Sequence, residues 1–255
     1  MTTKDQPLHS MNPTARFSDR AADYAKHRPS YPPEAVRFII DSGPVHTCAD
    51  IGAGTGIFSR LLADQGLTVI AIEPNAAMVA AATPHPCVTF RPGSAEQTGL
   101  DTASMDLVTC AQAFHWFKHD TALPELRRIL NPAGRIAVIW NDRDPTDPLT
   151  AAYGELILEA SNNHKAAIDR GDGAQALEAS PLFTNLTVKL FRYEQPHDLK
   201  GLIGRANSAS YVPMEGPKLE TLLQGLTDLH RRFADPKGMV RMIYSTRVYI
   251  AEPIR

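Results

Sequence analysis

The sequence predicts an α/β fold in which a doubly wound, mostly parallel sheet of seven strands carries a helical insertion or cap. Three observations support this class. Short apolar runs alternate with helical patterns through the first half of the chain. A cluster of glycines follows the first apolar run. Two late runs alternate apolar and polar residues, which is typical of antiparallel strands with one exposed face.

The first strand, helix and second strand are predicted from one continuous stretch. "HTCADIG" and "LTVIAIEP" are short apolar runs bounded by turn residues, as expected of buried parallel strands. Between them, "GIFSRLLADQG" places Phe58, Leu61 and Leu62 on one helical face and ends at Gly66. The stretch therefore predicts a βαβ unit.

The same alternation continues along the chain. We predict a helix in "NAAMVAAAT", strands in "CVTFRPG" and "MDLVTCAQAF", a helix in "ALPELRRILN" and a fifth strand in "GRIAVIWN". The last two strands are "LTVKLFRYEQ" and "MIYSTRVYIAE", both at one edge of the sheet. Helical stretches from about Pro148 to Ala179 and from His197 to Ala234 interrupt this section.

Composition argues against several classes of function. The formal net charge of -2 is spread over 255 residues without a run of like charges, so we expect no nucleic-acid or membrane partner. The polar N-terminus and the lack of a run of about 18 apolar residues predict a cytoplasmic protein. Cys48, Cys87 and Cys110 lie in separate apolar runs, which predicts buried reduced thiols. Nothing in the sequence indicates the oligomeric state.

A glycine-rich loop is the strongest functional signal. Gly52, Gly54 and Gly56 lie where the first strand would pass into the first helix, a position that favours positive φ and close approach of a ligand. Such a loop is expected to present backbone N–H groups beside the positive end of the helix dipole. Glu73 ends the second strand at the same edge, where its oxygens can accept hydrogen bonds from ribose hydroxyls.

The spacing of the glycines favours S-adenosylmethionine. The dinucleotide pattern is G-x-G-x-x-G, whereas this chain reads G-A-G-T-G with Asp50 two positions before the first glycine. From about Tyr24 to Asn141 the sequence resembles class I S-adenosylmethionine-dependent methyltransferases, through "DIGAGTG", Glu73 in "AIEPN" and Glu96 in "GSAEQ". The resemblance implies a Rossmann-like fold, S-adenosyl-L-methionine as cofactor and S-adenosyl-L-homocysteine as product.

The resemblance also implies a cofactor site. Ser94, Ala95 and Glu96 would border the adenine, and Met78 would lie against one adenine face. The full predicted set is Tyr24, Arg28, Asp50, Gly52, Ala53, Gly54, Thr55, Gly56, Glu73, Pro74, Met78, Ser94, Ala95, Glu96, Gln112 and Ala113. The nine histidines are scattered without metal-ligand spacing, so we expect no metal.

The N-terminal stretch "FSDRAADYAKHRPSYPPE" looks like that of a subfamily related to trans-aconitate methyltransferases and the type 11 group. This resemblance implies a lid, with Tyr24 and Arg28 near the methionine carboxylate, which a guanidinium can bind through two hydrogen bonds. The alternative is that Arg28 caps a surface loop. The predicted domains are a lid segment of 1–31, an S-adenosylmethionine-binding core of 32–147, and a region of 148–255 with the insertions and last two strands.

The stretch "AQAFHWF" is predicted, by resemblance, to lie beneath the sulfonium and methyl group. His115 as a base and Trp116 as a π-face for the cation are the catalytic candidates. The alternatives are a structural hydrogen bond for His115 and core packing for Phe114 and Phe117. The candidate residues for binding a small, acidic substrate are Trp116, Phe117, Asn141, Arg143, Arg205 and Tyr211. The arginines could equally form surface ion pairs.

Methyl transfer to a small molecule, with a carboxylic acid as the favoured acceptor, is the predicted function. An NAD-dependent oxidoreductase shares the sheet and the ribose acid but normally has the longer glycine spacing. A non-catalytic module that binds S-adenosylmethionine is a second alternative. Methylation of protein or nucleic acid is a third, disfavoured by the mild negative charge and absent basic stripe.

Overall fold

The computed structural model describes residues 21–162 and 174–254, which form one seven-stranded sheet with the order β3-β2-β1-β4-β5-β7-β6. The strands are β1 Thr47–Ile51, β2 Thr68–Ile72, β3 Val88–Arg91, β4 Met105–Ala111, β5 Leu130–Arg143, β6 Phe183–His197 and β7 Val240–Pro253. Strands β1 to β5 pair in parallel, and β7 is antiparallel to both β5 and β6. The predicted fold class is confirmed.

Nine α-helices connect the strands of the described residues, and side-chain caps fix where several of them begin. They are α1 Ala21–His27, α2 Pro33–Ile40, α3 Ile57–Ala63, α4 Ala76–Ala80, α5 His119–Ile129, α6 Pro148–Ala160, α7 Gln175–Glu178, α8 Leu199–Asn207 and α9 Pro217–Phe233. Asp147 caps α6 by accepting a hydrogen bond from the backbone N–H of Thr150 at 2.8 Å, and Asp198 caps α8 from Gly201 at 2.7 Å. A single 3₁₀ turn, Phe114–Trp116, follows β4.

Helices cover both faces of the sheet because successive residues of the central strands point to opposite sides. Val138 packs in the cluster that contains Leu126 of α5, whereas the next residue, Ile139, packs with Ile39 of α2 and Leu62 of α3. All five side chains are fully buried. Burial of each such aliphatic side chain contributes roughly 1.5–3 kcal/mol, so the two layers hold the sheet rigidly.

A third apolar cluster forms the helical cap. It joins α6, α8 and α9 to the first residues of β7, and its largest buried side chains are Tyr153 and Tyr244. Tyr244 pairs with Arg143 at the end of β5, so the cap lies at the carboxyl end of that parallel strand. In parallel α/β sheets this edge is where ligands bind.

Four sequence predictions need correction. Of the two late strands only β6 lies at an edge of the sheet, because β7 lies between β5 and β6. Cys87 is exposed because it precedes the edge strand β3, whereas Cys48 and Cys110 are buried free thiols as predicted. β4 ends at Ala111, since Gln112 has a φ of 58° and leaves the extended conformation. The helical stretch predicted from Pro148 is α6 and α7, and its residues 163–173 lie outside the described residues.

Residues 1–20 of the predicted lid also lie outside the described residues. Within the two described ranges, every helix is too short or too polar to cross a lipid bilayer.

Candidate active site

The glycine loop between β1 and α3 adopts the left-handed backbone conformation that its sequence predicts. Gly52, Gly54 and Gly56 have φ values of 68°, 59° and 71°. A Cβ atom at Gly52 would lie 2.7 Å from the Cβ of Ala113, and one at Gly54 would lie 3.3 Å from the Cε of Met78. The loop thus packs directly against residues that follow β4 and β2. A side chain at Gly52 would force Ala113 to move, whereas one at Gly54 would require only a small shift of the flexible end of Met78.

Most backbone N–H groups of this loop donate to protein acceptors. Gly52 and Ala53 both donate to the carbonyl of Ile72, at 2.9 and 3.1 Å, and Gly56 donates to the carbonyl of Ala53 at 2.9 Å. Gly54 donates to Oε2 of Glu73 at 2.8 Å. The prediction that the loop presents free N–H groups to an anion is therefore wrong for these four residues.

Asp50 lies beneath the loop. Its Oδ2 accepts a hydrogen bond from Ser59 Oγ of α3 at 2.6 Å, and its Oδ1 accepts one from Thr109 Oγ1 of β4 at 2.8 Å. Burial raises the pKa of Asp50 from 3.8 to about 6, although both hydroxyls oppose the shift by stabilising the carboxylate. The side chain is fully buried, so Asp50 positions the loop.

Glu73 follows β2 and connects two loops. Its Oε2 binds Gly54 N as described, and its Oε1 accepts a hydrogen bond from the N–H of Asn75 at 2.9 Å. Burial raises the pKa of Glu73, and the two N–H groups oppose this effect. Each carboxylate oxygen can accept a further hydrogen bond, as binding of ribose hydroxyls requires. Asn75 caps α4 and so places Met78 against the loop.

The loop after β3 is tied to the connection between β4 and α5. Glu96 Oε1 accepts a hydrogen bond from the backbone N–H of Lys118 at 2.9 Å, and Ser94 and Gln97 exchange backbone hydrogen bonds. Ala95 is buried in the core cluster. Ser94, Ala95 and Glu96 therefore form a tight turn beside the predicted aromatic stretch.

The aromatic stretch packs mainly into the core. Phe114 is fully buried, stacks on His119 at 4.5 Å between ring centroids and meets Phe117 edge to face. Trp140 of β5 donates from Nε1 to Nδ1 of His115 at 3.4 Å. The neutral His115 ring that accepts this bond carries its proton on Nε2.

A small cavity, part of it open to solvent, lies between α1, the glycine loop and the cap. Its walls include seven of the predicted site residues, namely Tyr24, Arg28, Gly52, Ala53, Gln112, Asn141 and Arg205. The other lining residues are Pro29, Tyr31, Ile57, Phe58 and Ala111. His115, Trp116, Phe117 and Arg143 are not among the lining residues.

Helix α1 is held against the cavity by polar contacts. Arg28 donates from Nη2 to the carbonyl of Ser208 at 3.1 Å, and its guanidinium lies 4.5 Å from the ring centroid of Tyr24. The chain just after α1 is held by Asn141, whose Nδ2 donates to the carbonyl of Ser30 at 2.8 Å. Asn141 also accepts a hydrogen bond from Thr246 of β7 at 2.6 Å.

Arg205 is a buried cation in the wall of the cavity. Only 4% of the residue is exposed, and its Nε and Nη1 donate to Tyr244 Oη at 3.3 Å and Ser208 Oγ at 3.4 Å. Burial acts to lower the pKa of Arg205, but the surrounding tyrosines outweigh it and the pKa lies above its ordinary value. Arg205 is therefore charged at any physiological pH.

The predicted residues Arg143 and Tyr211 belong to the surroundings of Arg205. The guanidinium of Arg143 lies 5.6 Å from the ring centroid of Tyr153. Burial raises the pKa of Tyr153 to about 12, and the charges of Arg205 and Arg143 oppose the shift. Arg143, Arg205 and Tyr211 are thus all close enough to this buried phenol to interact electrostatically with it.

Sequence reasoning did not identify Tyr31, Phe58 and Ser208 as parts of the site. The rings of Tyr31 and Phe58 meet edge to face, with 4.9 Å between their centroids, and form an apolar wall of the cavity. The sequence predicts only that Phe58 is a core residue of α3. Ser208 ends α8 and carries no motif. Its role follows only from the contacts that Arg28 and Arg205 make with it.

Comparison with known proteins agrees with this geometry. A family model described as a methyltransferase domain matches residues 49–138. An uncharacterized methyltransferase of Schizosaccharomyces pombe is 32% identical over 207 residues, which cover 78% of this chain and 81% of that protein.

Two solved structures share the fold. A proposed type II methyltransferase from Anaeromyxobacter dehalogenans is 24% identical with a TM-score of 0.67, covering 88% of this chain and 97% of its own. The phosphoethanolamine N-methyltransferase 2 of Haemonchus contortus, solved with phosphomonomethylethanolamine and S-adenosylhomocysteine, is 14% identical with a TM-score of 0.52, covering 100% of this chain and 61% of its own.

The sheet, the glycine loop and these matches define a class, the S-adenosylmethionine-dependent methyltransferases. The chain belongs to this methyltransferase family.

The packing of Gly52 can be tested against that of Gly66. Both glycines have positive φ, so alanine at either position costs about 1 kcal/mol of backbone strain. Gly66 has no atom within 4 Å of an added Cβ, whereas Gly52 meets Ala113. We expect Gly52→Ala to lower the free energy of unfolding by a further ~1–3 kcal/mol relative to Gly66→Ala in urea denaturation. Equal losses would contradict the close packing.

The buried carboxyl of Asp50 predicts a pH dependence. Because its pKa is raised to about 6 in the folded protein, its contribution to stability is fully present below its unfolded pKa and is lost as pH rises through about 6. Asp50→Asn removes this ionisation. We expect the free energy of unfolding of the wild type, relative to the variant, to fall by about 2 kcal/mol between pH 4 and 7. A constant difference across this range would refute the shifted pKa.

Proposed function

We propose that the cavity is the site where a small molecule bearing a carboxylic acid receives a methyl group from S-adenosyl-L-methionine. The observation that carries this proposal is that Gly52 and Ala53 of the glycine loop line the same cavity as Arg205. A cofactor bound on the loop and an acid bound at Arg205 would be neighbours.

The hydrogen bonding of the loop supports S-adenosylmethionine over a dinucleotide. A pyrophosphate needs unoccupied N–H donors at the start of the helix. Here the N–H groups of Gly52, Ala53, Gly54 and Gly56 already donate to protein acceptors. S-adenosylmethionine carries no phosphate, and its ribose requires only the acceptor that Glu73 provides.

The remaining predicted cofactor residues are assigned by their position around the loop. We propose that Glu73 and Pro74 bind the ribose, and that Met78 and the turn of Ser94, Ala95 and Glu96 enclose the adenine. Asp50, Thr55 and Gly56 would hold the loop in shape. Gln112 and Ala113 lie on the opposite side of the loop, where Ala113 contacts Gly52.

The cofactor supplies a methyl group on a positively charged sulfur, so that the leaving group is neutral. The work of the protein is then to align the acceptor and to exclude water. Tyr24, Tyr31, Ile57 and Phe58 provide apolar walls for this purpose. A carboxylate acceptor is already ionised at neutral pH, so neither a metal nor a general base is required in the proposal.

The geometry does not favour proton transfer by His115. Its Nδ1 accepts a hydrogen bond from Trp140, and the neutral ring therefore holds its proton at Nε2. Trp116 packs against the core cluster. We propose that His115 and Trp116, together with Phe117, fix the connection after β4.

We further propose that residues 21–31 close the cofactor side of the cavity as part of a lid of 1–31. The contacts of Arg28 with Ser208 and of Asn141 with Ser30 support this assignment. In this arrangement 32–147 is the cofactor-binding core, and 148–255 supplies the cap, including Arg205.

Substitution of Glu73 tests the cofactor site. We expect Glu73→Gln to weaken S-adenosylhomocysteine binding by about 10-fold or more in calorimetry, because hydrogen bonds to a charged group contribute roughly 1.5–3 kcal/mol. The exposed Glu155→Gln of α6 is the matched control and should bind like the wild type. An NADH titration of the wild type should show no binding.

Because Glu73 also joins two loops, its variant must first retain a cooperative unfolding transition. A folded Glu73→Gln protein with wild-type affinity would exclude Glu73 from the ribose site. Binding of NADH but not S-adenosylhomocysteine to the wild type would refute the proposed function as a whole.

A further inference from the structure

Arg205 differs from the buried carboxylates Asp50 and Glu73 in having only long hydrogen bonds, of 3.3 and 3.4 Å, to its neighbours. Asp50 accepts two short hydrogen bonds from hydroxyls, and Glu73 accepts two from backbone N–H groups. Among residues 21–162 and 174–254, no carboxylate lies within 4 Å of the Arg205 guanidinium. No described residue accepts a hydrogen bond from its Nη2.

The neighbours of Arg205 do not compensate its charge. Tyr153, Tyr211 and Tyr244 are phenols, which are neutral at physiological pH. His197 is also near, and burial together with the charge of Arg205 lowers the pKa of His197 to about 4, so this ring is neutral as well. A buried guanidinium without a counterion is costly, so an anionic ligand that reached Arg205 would be stabilised by a charge-assisted hydrogen bond.

The uncompensated charge of Arg205 affects the two forms of the cofactor differently, because these forms differ in charge. S-adenosylmethionine carries a sulfonium in addition to its ammonium and carboxylate, whereas S-adenosylhomocysteine has no sulfonium. A sulfonium in a cavity that already contains the charge of Arg205 is repelled, more strongly than in water because the cavity is partly screened from solvent. Glu73 and Asp50 attract the sulfonium, but these carboxylates are the same with and without an acceptor, so an anion bound at Arg205 changes mainly the affinity for S-adenosylmethionine.

Resting on the proposed function, we propose that Arg205 binds an oxyanion of the methyl acceptor and that this anion makes the cavity favourable for the sulfonium. Without acceptor, the cavity selects the product form of the cofactor. With the anion bound, the charge of Arg205 is offset and the methyl donor binds well. Acceptor and S-adenosylmethionine therefore bind with positive coupling, in which each raises the affinity of the other by the same factor.

Calorimetry of both cofactor forms tests this inference without any turnover. The wild type is titrated with S-adenosylmethionine and S-adenosylhomocysteine in sodium chloride, and again at equal ionic strength with malonate or with inorganic phosphate. The malonate arm represents a carboxylate and the phosphate arm a phosphate ester. In chloride we expect S-adenosylhomocysteine to bind about 10-fold more tightly, since one unscreened like-charge contact is of this size. One of the two oxyanions should remove most of this difference.

Variants test whether Arg205, and not another cation of the protein, causes these effects. Arg205→Gln should bind both cofactor forms with similar affinity and lose the response to oxyanions, whereas Arg205→Lys should keep both effects. Arg37→Gln, in an exposed position of α2, is the matched control and should behave as the wild type. If Arg205→Gln does not fold, the wild-type titrations and the charge-conserving Arg205→Lys still decide the question.

Three results would overturn the inference. They are equal affinity of the wild type for the two cofactor forms in chloride, equal effects of the oxyanions on both forms, and an oxyanion response that persists in Arg205→Gln. Each leaves the proposed function intact, because both cofactor forms bind. Failure of both forms to bind the wild type would instead refute the proposed function, and the inference with it.

Discussion

The sharp turn after β1 is the constraint on which the rest of the site depends. Three left-handed glycines let the chain reverse within five residues, and the space left by their missing side chains is taken by residues from other loops. Ala113 from the loop after β4 and Met78 from α4 both pack onto this turn. The loops after β1, β2 and β4 are therefore positioned as one unit, and a change in any of them displaces the others.

Charges are distributed unevenly across this unit. The two acids beside the glycine loop are satisfied by donors from the protein, so the loop stabilises carboxylates of its own chain and not those of an anionic ligand. The cation on the cap side has only long hydrogen bonds to neutral groups. The wall of the cavity thus contains a cation whose own hydrogen bonds are long, and an anionic group of a ligand would be stabilised beside it.

The sequence was sufficient to predict the fold and the cofactor edge of the site, because those depend on local patterns. Each of these patterns lies within a stretch of about 25 residues: the strand periodicity, the glycine spacing and the position of Glu73. The acceptor side depends on contacts between residues far apart in sequence. The sequence does not distinguish Arg143 from Arg205. The contact of α8 with Tyr244 of β7 places Arg205 in the cavity wall, whereas Arg143 lies beside Tyr153 and does not line the cavity. Local patterns likewise did not show that Cys87 precedes an edge strand or that the loop N–H groups are already bonded.

The position of β7 has a consequence for how the chain folds as it is synthesised. β7 is the last strand in sequence, yet it lies between β5 and β6 and pairs with both along most of their length. Until residues 240–253 leave the ribosome, one edge of β5 and the whole of β6 have unpaired backbone groups, which are prone to pair with other chains. The cofactor half of the sheet can form early, whereas closure of the sheet and of the cap that carries Arg205 must wait until β7 has been synthesised.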